Sequence, residues 1–254
     1  MRPNAMKAKF AAGQPAFGLS VMFPSPQLLE MAAGLGFDWV LIDCEHGSIG
    51  IESVELMVMA AEAAGLTPIV RPATNSSLDI LRVMDRGAAG VQVPHVNTRA
   101  DAERAVQAVK FHPLGKRSMA AGTRAQSYDL GPGARGFSEK SNRETLVCVQ
   151  LEDAEAIANA DDILKTEGVD VFFIGPSDLA QSMGFPGNNS APEVVKAIDA
   201  TLAKIVKAGR NPGMPASADA VEKTVARGVR YIYTHVPKLL GSAAAAYFKA
   251  AKGG

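Results

Sequence analysis

Residues 168–184 read GVDVFFIGPSDLAQSMG. Gly168 suits the positive φ that closes a helix just before a strand. Val171–Ile174 is apolar at every residue rather than alternating, as expected of a parallel strand covered on both faces. Gly175-Pro176 then turns the chain into a segment with a proline and Asp178 in its first turn, a helix start. Working outward, the same strand-then-helix unit recurs along the chain. Apolar runs stand at Ala16–Ser20, Trp39–Asp43, Pro68–Arg71, Gly90–Pro94, Leu146–Leu151, Val169–Ile174, Pro212–Pro215 and Val229–Thr234, with a ninth, weaker candidate at Arg117–Ala121. Gly65, Gly87, Gly209 and Gly228 close helices as Gly168 does, and Gly36 ends the helix opened by Ser25-Pro26. Thr98 with Asp101, and Ser190 with Glu193, are spaced as capping boxes. Repeated βα units imply right-handed crossovers and a parallel sheet. About eight units in 254 residues favour a closed (β/α)8 TIM barrel in a single domain over 1–254. An open doubly wound sheet is the alternative, and no G-x-G-x-x-G follows the first strand to support it.

Phe111–Glu144 breaks this rhythm with Gly, Pro, Arg, Lys and Ser. We read it as the weaker strand candidate, taken as strand five, followed by a loop over the active-site mouth, because long irregular stretches in compact domains are either functional or disordered; a plain surface excursion is the alternative.

Composition removes several classes of function. The 26 basic side chains balance 26 acidic ones, so no global field draws nucleic acid or an anionic membrane. Cys44 and Cys148 sit in apolar runs, too few for a disulfide framework and without zinc spacing. The N-terminal MRPNAMKAKF has no apolar signal-peptide core, and no run of about 18 apolar residues occurs. The expectation is a cytoplasmic protein.

In a parallel barrel, active sites lie at the C-terminal strand ends. Those ends carry Asp43, Glu45 and His46 (VLIDCEHG), Arg71 (PIVRP), Gln150, Glu152 and Asp153 (VCVQLED), and Ser177 and Asp178 (FFIGPSDL). Glu152 and Asp178 are the most interpretable pair, since two carboxylates without thiols suit a hard, oxygen-loving ion such as Mg2+ or Mn2+. Both also precede helices, whose dipoles alone favour carboxylates. His46 is the best candidate base, with Asp43 or Glu45 placed to fix its tautomer; His95, His112 and His235 compete with it. A guanidinium after PIV suits a bidentate grip on a carboxylate or a developing oxyanion. Gly175, Pro176 and Ser177 form a turn whose backbone can receive an anionic group. No lysine lies inside an apolar strand, where desolvation would prepare it for imine chemistry.

The motifs FGLS (17–20), FDWVLIDCEHG (37–47), PIVRP (68–72), VQLED (149–153) and GVDVFFIGPSDLAQSMG (168–184) together resemble the metal-dependent pyruvate aldolases of the HpcH/HpaI family over nearly the whole chain. That family includes 4-hydroxy-2-oxoheptanedioate and 2-dehydro-3-deoxyglucarate aldolases. The resemblance implies a class II aldolase (a carbon–carbon lyase) that uses Mg2+, Mn2+ or Co2+ and takes a 2-oxoacid and an aldehyde. It implies that Glu152 and Asp178 hold the metal and that Arg71 stabilises the pyruvate enolate. It further implies that His46 with Asp43 handles protons, that Gln150 and Glu45 support these groups, and that Gly175, Pro176 and Ser177, with Gln150 and Arg71, meet the substrate. A homohexamer, a trimer of dimers exchanging the last helix, is also implied. Departures from the family pattern fall at Arg117-Ser118, where the family often has Arg-Gly, and at Tyr231–Leu240. Two other functions fit the same barrel: a citrate synthase- or citrate lyase-like condensing enzyme, and a non-catalytic barrel that binds a small acid.

Overall fold

The computed structural model describes residues 2–130 and 136–252. Eight parallel strands close into a barrel in chain order: β1 (Ala16–Val21), β2 (Trp39–Asp43), β3 (Thr67–Arg71), β4 (Gly90–Val93), β5 (Leu146–Leu151), β6 (Val171–Ile174), β7 (Asn211–Pro215) and β8 (Tyr231–His235). The helices before β5 are α1 (Ala5–Ala11), α2 (Pro26–Gly34), α3 (Ile51–Ala64), α4 (Ser77–Asp85), α5 (Arg99–Val109) and α6 (Phe137–Glu144). After it come α7 (Ala154–Ala158), α8 (Ala160–Ile163), α9 (Pro176–Ser182), α10 (Pro192–Lys207), α11 (Val221–Ala226) and α12 (Val236–Ala251). Among the described residues no helix is long and apolar enough to cross a membrane.

The all-apolar strands are buried on both faces for two different reasons. Outward residues such as Val40, Ile42, Val70, Val91, Val147 and Phe172 pack with Leu29, Val54, Met57, Ile80 and Val194 of the surrounding helices. Inward residues Trp39, Leu41, Ile69, Leu146, Cys148, Phe173, Tyr231 and Tyr233 fill the barrel, and Met6 and Phe10 of α1 close its N-terminal end. The Trp39 and Tyr231 rings lie 4.1 Å apart, and Phe173 stacks on Tyr233 at 5.2 Å. Gly18 exists to admit Trp39, since a Cβ there would lie 2.2 Å from the indole.

The helix-closing glycines Gly36, Gly65, Gly87, Gly168, Gly209 and Gly228 all take positive φ. Thr98 and Asp101 form the expected reciprocal capping box. Ser190 and Glu193 do not: α10 begins one residue later, with Ala191 at its N-cap, Pro192 in its first turn and no side-chain cap.

The excursion is the main correction to the sequence reading. Arg117–Ala121 is not a strand, and Leu146–Leu151 is the fifth strand. Nor does the segment cover this chain's active-site mouth. It joins the C-terminal end of α5 to the start of β5, so its described part lies at the N-terminal face. There Arg124 pairs with Glu62, and Glu144 accepts from the Asn4 backbone N–H at 3.0 Å. Gly131–Arg135 lie outside the described residues. What holds the excursion is local: Arg117, buried, pairs with Asp85 at 2.7 Å and rests over the Phe111 ring at 4.7 Å.

Candidate active site

Strand parity decides which polar side chains enter the barrel. On β2, Trp39, Leu41 and Asp43 share the inward face; on β3, Ile69 and Arg71 do, and Asp43 and Arg71 are ladder partners. The carboxylate and guanidinium therefore meet at the C-terminal rim as a forked pair. Arg71 Nε donates to Asp43 Oδ1 at 2.9 Å and Nη2 to Oδ2 at 2.5 Å. Arg71 Nη1 lies 3.0 Å from Glu45 Oε2. Burial alone would raise the Asp43 carboxyl. The Arg71 hydrogen bond and charge, with backbone N–H groups of His46 and Glu45, outweigh it and hold Asp43 below the usual carboxylate range.

This pairing changes the part Asp43 plays. It accepts the His46 backbone N–H at 3.2 Å and spends its oxygens on Arg71. The His46 ring instead approaches Glu45, with Nε2 3.8 Å from Oε2, and is half exposed at the mouth. Asp43 thus orients the turn that carries His46 rather than gripping its imidazole. Gly47 lets this turn fold tightly, since a Cβ would lie 2.2 Å from the Asp43 carbonyl oxygen.

Asp43→Asn is expected to destabilise the barrel by about 3 kcal/mol at pH 7, the scale of breaking a buried ion pair and leaving its partner uncompensated. Because the folded carboxyl sits below its ordinary value of 3.8, the wild-type advantage is complete above that pH and shrinks as pH falls below it. Urea unfolding of both proteins at pH 7 and in acid checks this; equal stability at pH 7 refutes it.

From β8 across to the neighbouring strands β4 and β5, a polar chain runs through the barrel interior. Tyr231 Oη donates to Gln92 Oε1 at 2.9 Å, Gln92 Nε2 to Gln150 Oε1 at 2.5 Å, and Gln150 Nε2 to Glu152 Oε2. Every link is buried, so each amide's orientation is fixed by its neighbours and Glu152 is aimed. Gly175, just past β6, makes room for it: a Cβ there would lie 2.8 Å from Glu152 Oε2 and 2.9 Å from its Cβ. Asp178 and Ser177 follow in the first turn of α9, Asp178 half-buried and Ser177 exposed, with Ser177 Oγ accepting from Asn189 at 3.2 Å.

His95 joins this site, although in the sequence it ranks only as a competitor to His46. It stands two residues past β4 with φ +50°, a left-handed conformation uncommon outside glycine. Its backbone N–H donates to Glu152 Oε1 at 2.9 Å, and its Nδ1 lies 3.0 Å from Asp153 Oδ2. Its Nε2 lies 3.4 Å from Glu45 Oε1. The legible signal was its position at the end of the run VQVP, the same strand-end address as the other site residues.

The donor set fits a divalent cation. Glu45, His95 and Glu152 each offer a ligand atom, all within 4.8 Å of one another, and Asp178 is not in this trio. Burial pushes both the Glu45 and Glu152 carboxyls up, despite the nearby positive groups. A compensating charge of +2 relieves that cost.

The lysines need one amendment. Lys110 is buried, and desolvation pushes it down to about 8. Its Nζ donates to the Asn142 and Thr145 carbonyls and to the Thr145 hydroxyl. Thr145 precedes β5, whose far end carries Glu152, so this lysine is anchored at the opposite end of the barrel from the site.

Comparison with known proteins finds relatives over most of the chain. The family model for HpcH/HpaI aldolase/citrate lyase matches residues 17–232. The hydroxypyruvate/pyruvate aldolase of Sagittula stellata is 36% identical over 234 residues, covering 92% of this chain and 91% of that one. The 4-hydroxy-2-oxo-heptane-1,7-dioate aldolase of Shigella flexneri is 37% identical over 212 residues, 83% of this chain and 78% of that one. A crystal structure of an HpcH/HpaI aldolase/citrate lyase family protein from Burkholderia cenocepacia superposes with a TM-score of 0.92 at 29% identity, covering 98% of this chain and 99% of the other. A match through all but the ends of the barrel, over the strands that carry Asp43, Arg71 and Glu152, assigns the chain to the HpcH/HpaI aldolase family.

Proposed function

We propose that the whole chain is one class II aldolase domain that reversibly cleaves 4-hydroxy-2-oxoacids to pyruvate, or hydroxypyruvate, and an aldehyde. The observation that carries this reading is the forked Asp43–Arg71 pair at the same rim as an aimed, buried Glu152. In this reading an oxyanion stabiliser and a dication site lie side by side at that rim, with Glu45 between them.

Glu152 and Asp178 are the residues we assign to hold Mg2+, Mn2+ or Co2+. When bound, the ion supplies Lewis acidity toward a 2-oxo oxygen. Arg71, locked by Asp43 and Glu45, directs its remaining N–H groups at the same oxygen, where charge grows as the C–C bond breaks. Gln150 keeps Glu152 in place and borders the substrate. The turn Gly175-Pro176-Ser177 receives the substrate carboxylate. His46, half exposed and oriented through the turn that Asp43 holds, takes and returns the proton. The test is release of pyruvate from a panel of 4-hydroxy-2-oxoacids, followed by a coupled dehydrogenase. Pyruvate release at enzyme-dependent rates is the expected result. Formation of citrate-type products with no pyruvate release would favour a condensing enzyme instead, and binding without turnover a non-catalytic barrel.

We further propose a cytoplasmic homohexamer, a trimer of dimers that exchange α12. Val236 is the sole buried residue of that helix, while Leu240, Tyr247 and Phe248 are 65%, 71% and 58% exposed. Beside its root lies a groove of about 560 Å³ whose lining includes Phe17, Leu35, Phe37, Val221 and Val225. An apolar helix lifted off its own barrel and an apolar groove left open are complementary needs that a second copy satisfies. Cys44 and Cys148 are free thiols, in keeping with a reducing compartment. Light scattering at micromolar concentration is expected to give six times the 26.6 kDa chain mass. A monomer mass contradicts the proposal.

A further inference from the structure

His95 is over-determined for a surface histidine. Its backbone holds a left-handed conformation, its N–H fixes Glu152, and its ring bridges Asp153 on one side and Glu45 on the other. Asp153 accepts from Nδ1, and a carboxylate acceptor requires that this nitrogen carry the proton. The neutral ring then turns the Nε2 lone pair toward Glu45 Oε1, 3.4 Å away. Two acceptors facing each other across that gap repel unless a proton or a metal cation lies between them. Donor atoms that bind one ion at about 2.1 Å stand about 3 Å apart when adjacent and about 4 Å when opposite. The observed Glu45–His95 spacing falls within that range, and Glu152 completes a trio whose ligand atoms all lie within 4.8 Å of one another. A carboxylate holding one imidazole nitrogen while the other faces the ion is also the usual arrangement behind metal-bound histidine. Glu45 divides its two oxygens accordingly, with Oε2 toward Arg71 and Oε1 toward His95.

We propose that His95 Nε2 is a nitrogen ligand to the divalent cation held at Glu152, with Glu45 Oε1 beside it, and that this ligand makes the site prefer Mn2+ or Co2+ over Mg2+. The inference rests on the metal-dependent reading above and goes beyond the all-oxygen pair Glu152 and Asp178. Its physical basis is ligand type: imidazole suits the transition metals, whereas Mg2+ demands oxygen donors. Asp153 then acts as a positioning residue, fixing the tautomer that leaves Nε2 open.

The test is electron spin echo envelope modulation on the full-length protein loaded with Mn2+. Wild type is expected to show 14N modulation that changes to the 15N pattern on 15N-histidine labelling. It should be lost in His95→Gln and kept in His46→Gln and His235→Gln. Calorimetric titration of the same proteins should show His95→Gln weakening Mn2+ by about 10–100-fold and Mg2+ by less than about threefold. If Mn2+ does not bind wild type at all, the metal-dependent reading itself fails. If Mn2+ binds without nitrogen modulation, as it would were the ring doubly protonated and merely ion-paired, this inference fails and the metal reading stands. Modulation that persists in His95→Gln, or equal losses for both ions, likewise overturns it.

Discussion

Exhaustive chelation is expected to abolish aldol cleavage, and Mg2+, Mn2+ or Co2+ to restore it, with Glu152→Ala lowering kcat/KM by on the order of 10³-fold or more. The magnitude follows from Lewis-acid stabilisation worth several kcal/mol, with each 1.36 kcal/mol a factor of about ten. Glu152 is the natural place to look because the structure commits so much to it: Gln150 donates to one oxygen, the His95 backbone to the other, and Gly175 gives up a side chain beside it. The Glu45 and Glu152 carboxyls are raised by burial, so protons compete with the ion and metal affinity should fall as pH is lowered through their titration. Titration calorimetry on wild type and Glu152→Ala separates lost metal binding from lost folding, which circular dichroism monitors. Full turnover after removal of all bound metal, verified by elemental analysis, refutes the expectation.

Arg71→Lys and His46→Ala should fail in different ways. Arg71 meets charge that is larger in the transition state than in bound substrate, so its loss should appear in turnover more than in KM. Lysine keeps the charge but cannot fork onto Asp43, so the site loses an aligned donor and its brace together. Both pyruvate deuterium exchange and aldol cleavage are expected to fall about 10²-fold or more. His46→Ala should slow proton transfer by about 10²–10⁴-fold. Because that ring is 50% exposed, added imidazole has access to its place and should restore part of the exchange, with no such effect on Arg71→Lys. Wild-type exchange in Arg71→Lys removes Arg71 from the oxyanion. Wild-type exchange in His46→Ala leaves the base elsewhere, with His95 and His235 the next candidates.

The barrel and the address of its site were legible in the sequence because both rest on local patterning. Mostly apolar strands recur eight times, punctuated by closing glycines and helix-start signals, and polar residues placed after each run must gather at one rim once the strands are parallel. That rule picked out Asp43, Arg71, Glu152 and Asp178 as candidates, and the closed barrel places Asp43 and Arg71 together at its C-terminal rim. The same locality explains the failures. Arg117–Ala121 looked like a strand, yet whether a short segment joins a sheet depends on a free edge to pair with, and β4 already pairs with β5. The excursion's place at the N-terminal face follows from which ends it connects, and that in turn depended on the strand count.

Partner choice among the gathered side chains was decided only in three dimensions. Asp43 stands three residues from His46 in sequence, but the ladder sets it opposite Arg71, and a bidentate ion pair captures both carboxylate oxygens. Gln92 and Tyr231 are 139 residues apart and share a hydrogen bond only because the barrel closes β8 onto β1 and fills its own interior. His95 meets Glu45, Glu152 and Asp153 through a left-handed turn that no residue type announces. Hydrophobic periodicity fixes which face a residue occupies. Hydrogen-bond pairing depends on distances of a few tenths of an ångström between strands far apart in the chain, and these exist only once the barrel is closed.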